Sequence, residues 1–136
     1  MRSWFVVASR RDTRLGCWGV RRGGAGERDV IALITRERLS GRSPITHGGV
    51  VAHVWRGGTG RQAEGARLLR GVDVSPLDEG LGRRAGALNG RTGTGDAIDA
   101  ALVCLAYDGD VLLTSDPHDL GVLAESAGTH IDLGPV

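Results

Sequence analysis

Between Thr92 and Asp119 the chain reads TGTGDAIDAALVCLAYDGDVLLTSDPHD, which spreads Asp96, Asp99, Asp116 and Asp119 over what should be separate elements of one fold. Carboxylates gathered at one place repel each other unless a cation joins them, and a set of hard oxygen donors favours Mg²⁺ or Mn²⁺. An ion held in this way activates water and stabilises the charge that develops during phosphodiester cleavage. Each aspartate taken alone has a plainer role. Asp96 and Asp99 suit a helix N-terminus, and Asp116 and Asp119 suit the start of the next helix.

The elements that must position them follow from hydrophobic spacing. Ile98, Ala101, Leu102 and Leu105 recur at helical intervals between Asp96 and Tyr107, so a helix is expected there, entered at Thr94 and Gly95, with Asp96 and Asp99 a turn apart on one face. Gly109 turns the chain, and Val111, Leu112 and Leu113 form the short apolar run of a strand in a parallel sheet. That strand should end at Thr114 and Ser115. Asp116 then falls at an N-cap, Pro117 in the first turn, and Asp119 in a capping-box-like place. Ligands of open α/β sheets bind at the carboxyl ends of strands, so Asp116 is where chemistry is expected.

Upstream, Trp4 to Ala8 could be an edge or first strand, while the rest of Met1 to Gly26 has neither a two-residue nor a helical period. Glu27 to Leu39 reads as an amphipathic helix stopped by Ser40 and Gly41, and Pro44 to Thr46 as a short strand. A helix from about Gly49 to Arg56 carries His53, taken as an ordinary hydrogen-bonding histidine, and Trp55, taken as a packing residue. Gly57 to Gln62 lacks the Lys and Ser/Thr of a phosphate-binding loop and reads as a turn. In the helix Gln62 to Leu69, Ala63, Ala66 and Leu69 should face inward. Arg61, Arg67 and Arg70 lie on or beside it as a solvated basic face, with RNA-backbone contact the second option.

Val72 to Ser75 is expected to be a strand, Leu77 to Leu88 a helix loosened at its end by Gly86, Asn89 and Gly90, and Leu120 to Ala127 a helix ended by Gly128. His130 to Leu133 is expected as the last strand, and His118 and His130 should face solvent. Such alternation implies a single α/β domain with a parallel sheet.

Composition narrows the class. The chain has 136 residues, enough for one domain with a core but not two. Its 17 basic and 16 acidic residues nearly balance, so any nucleic-acid site must come from local clustering. Every basic residue is Arg, the side chain that grips phosphate bidentately. Cys17 and Cys104 suit a reducing cytosol, with Cys104 a small apolar residue inside a helix, and a structural zinc site is not expected. The apolar piece Trp4 to Ala8 is too short for a signal-peptide core or a membrane span, so the expected setting is cytoplasmic, away from membranes.

The segment Asp96 to Ala106, followed by TSDPHDL at Thr114 to Leu120, resembles the C-terminal half of a PIN domain, the fold of bacterial toxin ribonucleases of the VapC type. The similarity extends upstream through VVAHVWRGG from Val50, ARLLRGVDVSPLD from Ala66 and RRAGALNGRTGTGD from Arg83. It implies a three-layer α/β fold with a central, mostly parallel sheet flanked by helices over residues 27–136, with residues 1–26 an irregular or altered segment. It also implies an endoribonuclease dependent on Mg²⁺ (or Mn²⁺), acting as the toxin of a type II toxin–antitoxin system. By this resemblance Asp99 and Asp116 are the principal metal ligands and catalytic residues, Asp96 and Asp119 support them, and Arg56 and Arg61 contact RNA. A homodimer neutralised by a cognate antitoxin is the implied assembly.

The chain departs from the family pattern at two places. The leucine–aspartate motif of the first strand is missing: Asp12 lies among arginines, Asp29 starts the helix that should follow, and Leu15 to Val20 holds no carboxylate. Where the family carries an acid on the second helix this chain has His53, and no Asp or Glu lies between Glu37 and Glu64. An altered start or shifted reading frame over the first 26 or so residues would explain the first departure; a leucine–aspartate strand encoded in the alternative frame and joining at Glu27 would be its signature. The remaining acids should hold one hydrated Mg²⁺ weakly rather than two ions tightly, which impairs the ribonuclease. The alternative is a catalytically inactive PIN relic serving as a protein- or RNA-binding module. A nucleotide-binding module rests only on weak glycine patterns.

Overall fold

The computed structural model describes residues 6–8, 27–55, 66–114 and 117–135. Arg56, Arg61, Asp116, Cys17, Asp12 and the Gly57 to Gln62 turn lie outside the described residues. In chain order the elements are β1 (Val6–Ala8), α1 (Glu27–Leu39), β2 (Ile45–His47), α2 (Gly48–Val54), a helical stretch at 66–69 denoted α3, β3 (Asp73–Ser75), α4 (Glu79–Thr92), α5 (Ala97–Leu105), β4 (Asp110–Thr114), α6 (Pro117–Ala127) and β5 (Ile131–Pro135). The class is mixed α/β. Among the described residues, no helix is long and apolar enough to cross a membrane.

The strands form one sheet in the order β3-β2-β1-β4-β5. β2 pairs parallel with β3 and β4 parallel with β5, while β1 runs antiparallel to both of its neighbours. Among the described strands, four therefore share one direction and β1 opposes them. The N-terminal strand, expected at an edge or as a first strand, is a first strand in the middle of the sheet, pairing Val7 with Ile45 on one side and with Leu112 on the other.

Alternation along β4 divides the core. Leu112 joins the cluster formed with Leu81, Leu88, Leu102, Leu120 and Leu123 of α4, α5 and α6, while Leu113 and Val111 face Val30, Leu33, Ile34, Leu68 and Val72 around α1 and α3. Helices thus cover both faces of β4. Leu68 is the inward residue of α3, packed in one cluster with Val30, Leu33 and Ile34 of α1, while Ala66 and Leu69 are only half-buried and Ala63 lies outside the described residues. A Cβ on Gly71 would stand 2.3 Å from Ile34 Cγ2, so only glycine lets the chain after α3 approach α1 this closely.

Capping explains most boundaries. Gly41 (φ 75°) and Gly93 (φ 71°) adopt the left-handed conformation beyond α1 and α4, and Gly128 (φ 68°) does so after α6. α4 starts at Glu79 rather than Leu77, because Asp78 caps it by accepting from Leu81 N–H, and it runs past Gly86, Asn89 and Gly90 to Thr92, where the left-handed Gly93 ends it. Trp55, expected to pack, is 43% exposed: α2 has only seven residues and the indole sits at its C-cap, beyond the buried stripe. Cys104 is half-buried in α5, where burial pushes its thiol pKa up against the opposing charges of Arg84 and Arg91, so it is held in the poorly nucleophilic thiol form.

Candidate functional site

The turn between α4 and α5 is tied together before it reaches the first candidate carboxylate. Thr92 Oγ1 donates to Leu88 O at 3.1 Å, Thr94 Oγ1 donates to Asn89 Oδ1 at 2.9 Å, and the two hydroxyls lie 2.7 Å apart. That network aims the chain at Asp96, the N-cap of α5, whose Oδ1 accepts from the backbone N–H of Ile98 (2.9 Å) and of Asp99 (3.1 Å). Asp96 is therefore exposed and occupied as a cap. One turn on, Asp99 is buried, with 6% of its surface exposed. The two share the helix start as the spacing suggested, but their environments differ.

His47 fastens this helix start to the sheet. It is fully buried at the end of β2, where Nε2 lies 2.8 Å from Ile98 O and Nδ1 accepts from Gly49 N–H at 3.0 Å. A backbone N–H can only donate, so Nδ1 is the unprotonated nitrogen and Nε2–H donates to the carbonyl. The ring caps α2 and at the same time joins β2 to α5. Because β2 and β4 run the same way, the carboxyl end of β4 at Thr114 lies on the same edge of the sheet as His47. Thr46 and Thr114 are buried there too, and each is engaged in a polar interaction.

Burial lowers the His47 pKa below its ordinary 6.5, opposed in part by the bond to Ile98 O and the charge of Asp96. Folding is then stabilised by neutral His47 above about pH 6.5, and that contribution is lost as pH falls from 6.5 toward the lowered value, because only the unfolded chain takes up the proton there. Chemical denaturation from about pH 7.5 down to about pH 5.5 should therefore destabilise the wild-type chain more than a His47→Asn variant. Equal losses in the two proteins would show that this imidazole is not the source.

Asp119 sits exposed in the first turn of α6, and His53, His118 and His130 are exposed as well. Among the described residues, no group of three or more His, Cys, Asp or Glu is placed to hold a metal ion. Asp99 is thus brought to the carboxyl edge, Asp96 lies beside it as a cap, Asp119 opens α6, and Asp116, Arg56 and Arg61 lie outside the described residues.

No family model matches this chain, and no curated protein or solved structure matches it either.

The residue that pattern reading overlooks here is His47. Its signal is faint: a histidine directly ahead of Gly48 and Gly49, where a strand passes into a helix, occupies a cap position usually held by Ser, Thr, Asp or Asn.

Proposed function

We infer that the chain is a PIN-like three-layer domain, similar to the VapC-type toxins of type II toxin–antitoxin systems, with a weakened Mg²⁺- or Mn²⁺-dependent endoribonuclease activity. The observation that carries this reading is Asp99, a buried carboxylate in the first turn of α5, at the sheet edge where β4 ends. Asp99 is engaged in a polar interaction there, and a carboxylate at a strand-end edge of an α/β sheet is a candidate for chemistry. Carboxylate oxygens are the donor class that suits a hard divalent cation. Asp99 and Asp116 would hold it, with Asp119 and Asp96 supporting; when bound it would supply an activated water and offset developing phosphate charge. The chain's own residues do the positioning: Asp96 fixes the first turn of α5, and His47 anchors that turn to β2. Arg56 and Arg61 are assigned to the RNA backbone, and the cognate antitoxin and a homodimer belong to the same reading.

One observation favours the second reading, a catalytically inactive relic that binds protein or RNA. β1 reads Val-Val-Ala, without a carboxylate, and its reversed direction puts its carboxyl end at the opposite edge from those of β2 and β4.

Purified protein is to be incubated with RNA and Mg²⁺ or Mn²⁺ beside Asp99→Asn and Asp116→Asn variants, with Tm measured on each. Metal-dependent cleavage that falls at least about a hundredfold in both variants supports the ribonuclease. Intact RNA with a metal-induced rise in Tm absent from Asp116→Asn supports the relic. Intact RNA with no such rise overturns metal binding at these aspartates.

A further inference from the structure

On the α1 and α3 side of the sheet lies a cleft of about 410 Å³ that the proposed ribonuclease site does not use. Its size falls in the range of small-ligand pockets, roughly 300 to 1,000 Å³. The floor is apolar, formed by Ile31 and Ile34, and Leu39 stands at its lining with 85% of its surface exposed. Around this floor are the arginines Arg38, Arg67 and Arg70, and among the described residues no acidic one lines the cleft.

The three cations reach this place for structural reasons. Ile31, Ile34, Thr35 and Arg38 recur at helical spacing on one flank of α1. The tight passage at Gly71 draws the end of α3 against that flank, bringing Arg67 and Arg70 with it. Arg38 is oriented by donating from Nη1 to Gly71 O at 3.2 Å, which uses one of its five N–H groups. Among the described residues no carboxylate pairs with Arg67 or Arg70, in contrast to the nearby Arg42, which is taken by Glu37. Three like charges around an apolar floor repel one another and gain by sharing an anion.

We propose that this cleft binds a small organic anion, a carboxylate or phosphate head carried on a short apolar body. Arg67 and Arg70 take the head through charge-assisted, fork-shaped hydrogen bonds, while the body covers Ile31, Ile34 and Leu39. The apolar floor separates this ligand from a bare inorganic ion, which would gain nothing from it. It also argues against an RNA backbone, whose sugars and phosphates present no matching apolar surface.

The test is isothermal titration of the full chain with hexyl phosphate, hexanoate, 1-hexanol and inorganic phosphate. At least one of the two amphiphilic anions should bind about tenfold or more tightly than both hexanol and inorganic phosphate, and comparison of the two tells which head group is preferred. Arg67→Gln/Arg70→Gln should weaken that binding at least about tenfold with Tm unchanged. Leu39→Ser, at a highly exposed position, should weaken hexyl binding without altering the response to inorganic phosphate. Equal binding of inorganic phosphate and the hexyl anions, unchanged binding in the double arginine variant, or displacement of the anion by single-stranded RNA with no effect of Leu39→Ser would each overturn the proposal.

Discussion

Arg42→Ala is expected to cost about 3 kcal/mol of folding stability, a loss out of proportion to one partly exposed ion pair. Glu37, on the inner side of α1, keeps only 4% of its surface exposed. Its carboxylate is met twice by Arg42, Nε to Oε2 at 2.6 Å and Nη2 to Oε1 at 3.0 Å. The approach is built by the helix end: Gly41 turns the chain through the left-handed region, and Arg42 N–H donates back to Glu37 O at 2.9 Å. Truncating the arginine leaves a buried carboxylate without its partner, and that desolvation penalty, not the lost attraction, sets the size of the effect. Arg42 retains 23% side-chain exposure, so water can reach part of the gap and the lower end of the range for buried pairs applies. Replacing both residues by methionine should recover most of the loss. Arg83→Ala, which breaks the pair with Glu79 where both side chains are more than three-quarters exposed, should cost no more than about 0.5 kcal/mol. Urea denaturation of the three variants at one pH decides it; equal losses in Arg42→Ala and Arg83→Ala would mean that Glu37 is not desolvated.

Leu112→Ala should be the more damaging change, at about 3 to 4 kcal/mol. Leu112 is fully buried on β4, in the larger core against the helices α4, α5 and α6. Its strand is paired on both sides, with β1 and with β5, so the backbone has little freedom to close the space left by the missing atoms. A domain of this size has a total stability of about 5 to 15 kcal/mol, and the variant should unfold at a markedly lower urea midpoint with an unchanged slope. Val122→Ala, at a 40% exposed position of α6, provides the comparison and should shift stability by less than about 0.5 kcal/mol.

Local signals carried the helices well. Glu27 to Leu39 folds over the span its apolar spacing indicated, and Gly128 ends α6 as expected. The strand from Val111 was legible because three apolar residues sit between a glycine turn and Thr114. Partnership was not legible. Nothing in Val6 to Ala8 says that it pairs with residues near the other end of the chain, or that it runs against them, since strand order and direction depend on closures that local patterning does not encode. The choice of Leu68 over Leu69 likewise depends on which side of α3 packs against Val30, Leu33 and Ile34 of α1, a tertiary contact.

At the candidate site, the acidic residues were conspicuous because aspartate at a helix start is a strong local cue, while the histidine that anchors them was not. A buried imidazole serving at once as cap and cross-link becomes visible only when Ile98 is found opposite it. Asp96 and Asp99 look alike in the sequence, yet Asp96 is an exposed cap ahead of α5 while Asp99, inside its first turn, is buried.

The reversed central strand has a consequence for how the molecule would fail. Two parallel ribbons, β2 with β3 and β4 with β5, are stitched along the sheet by a seam three residues wide. Should that seam open, both ribbons would bare a row of unsatisfied amide and carbonyl groups at the heart of the protein, each a ready template for a strand from a neighbouring molecule. Self-association by strand exchange is the hazard this architecture carries, and it turns on the pairing of β1.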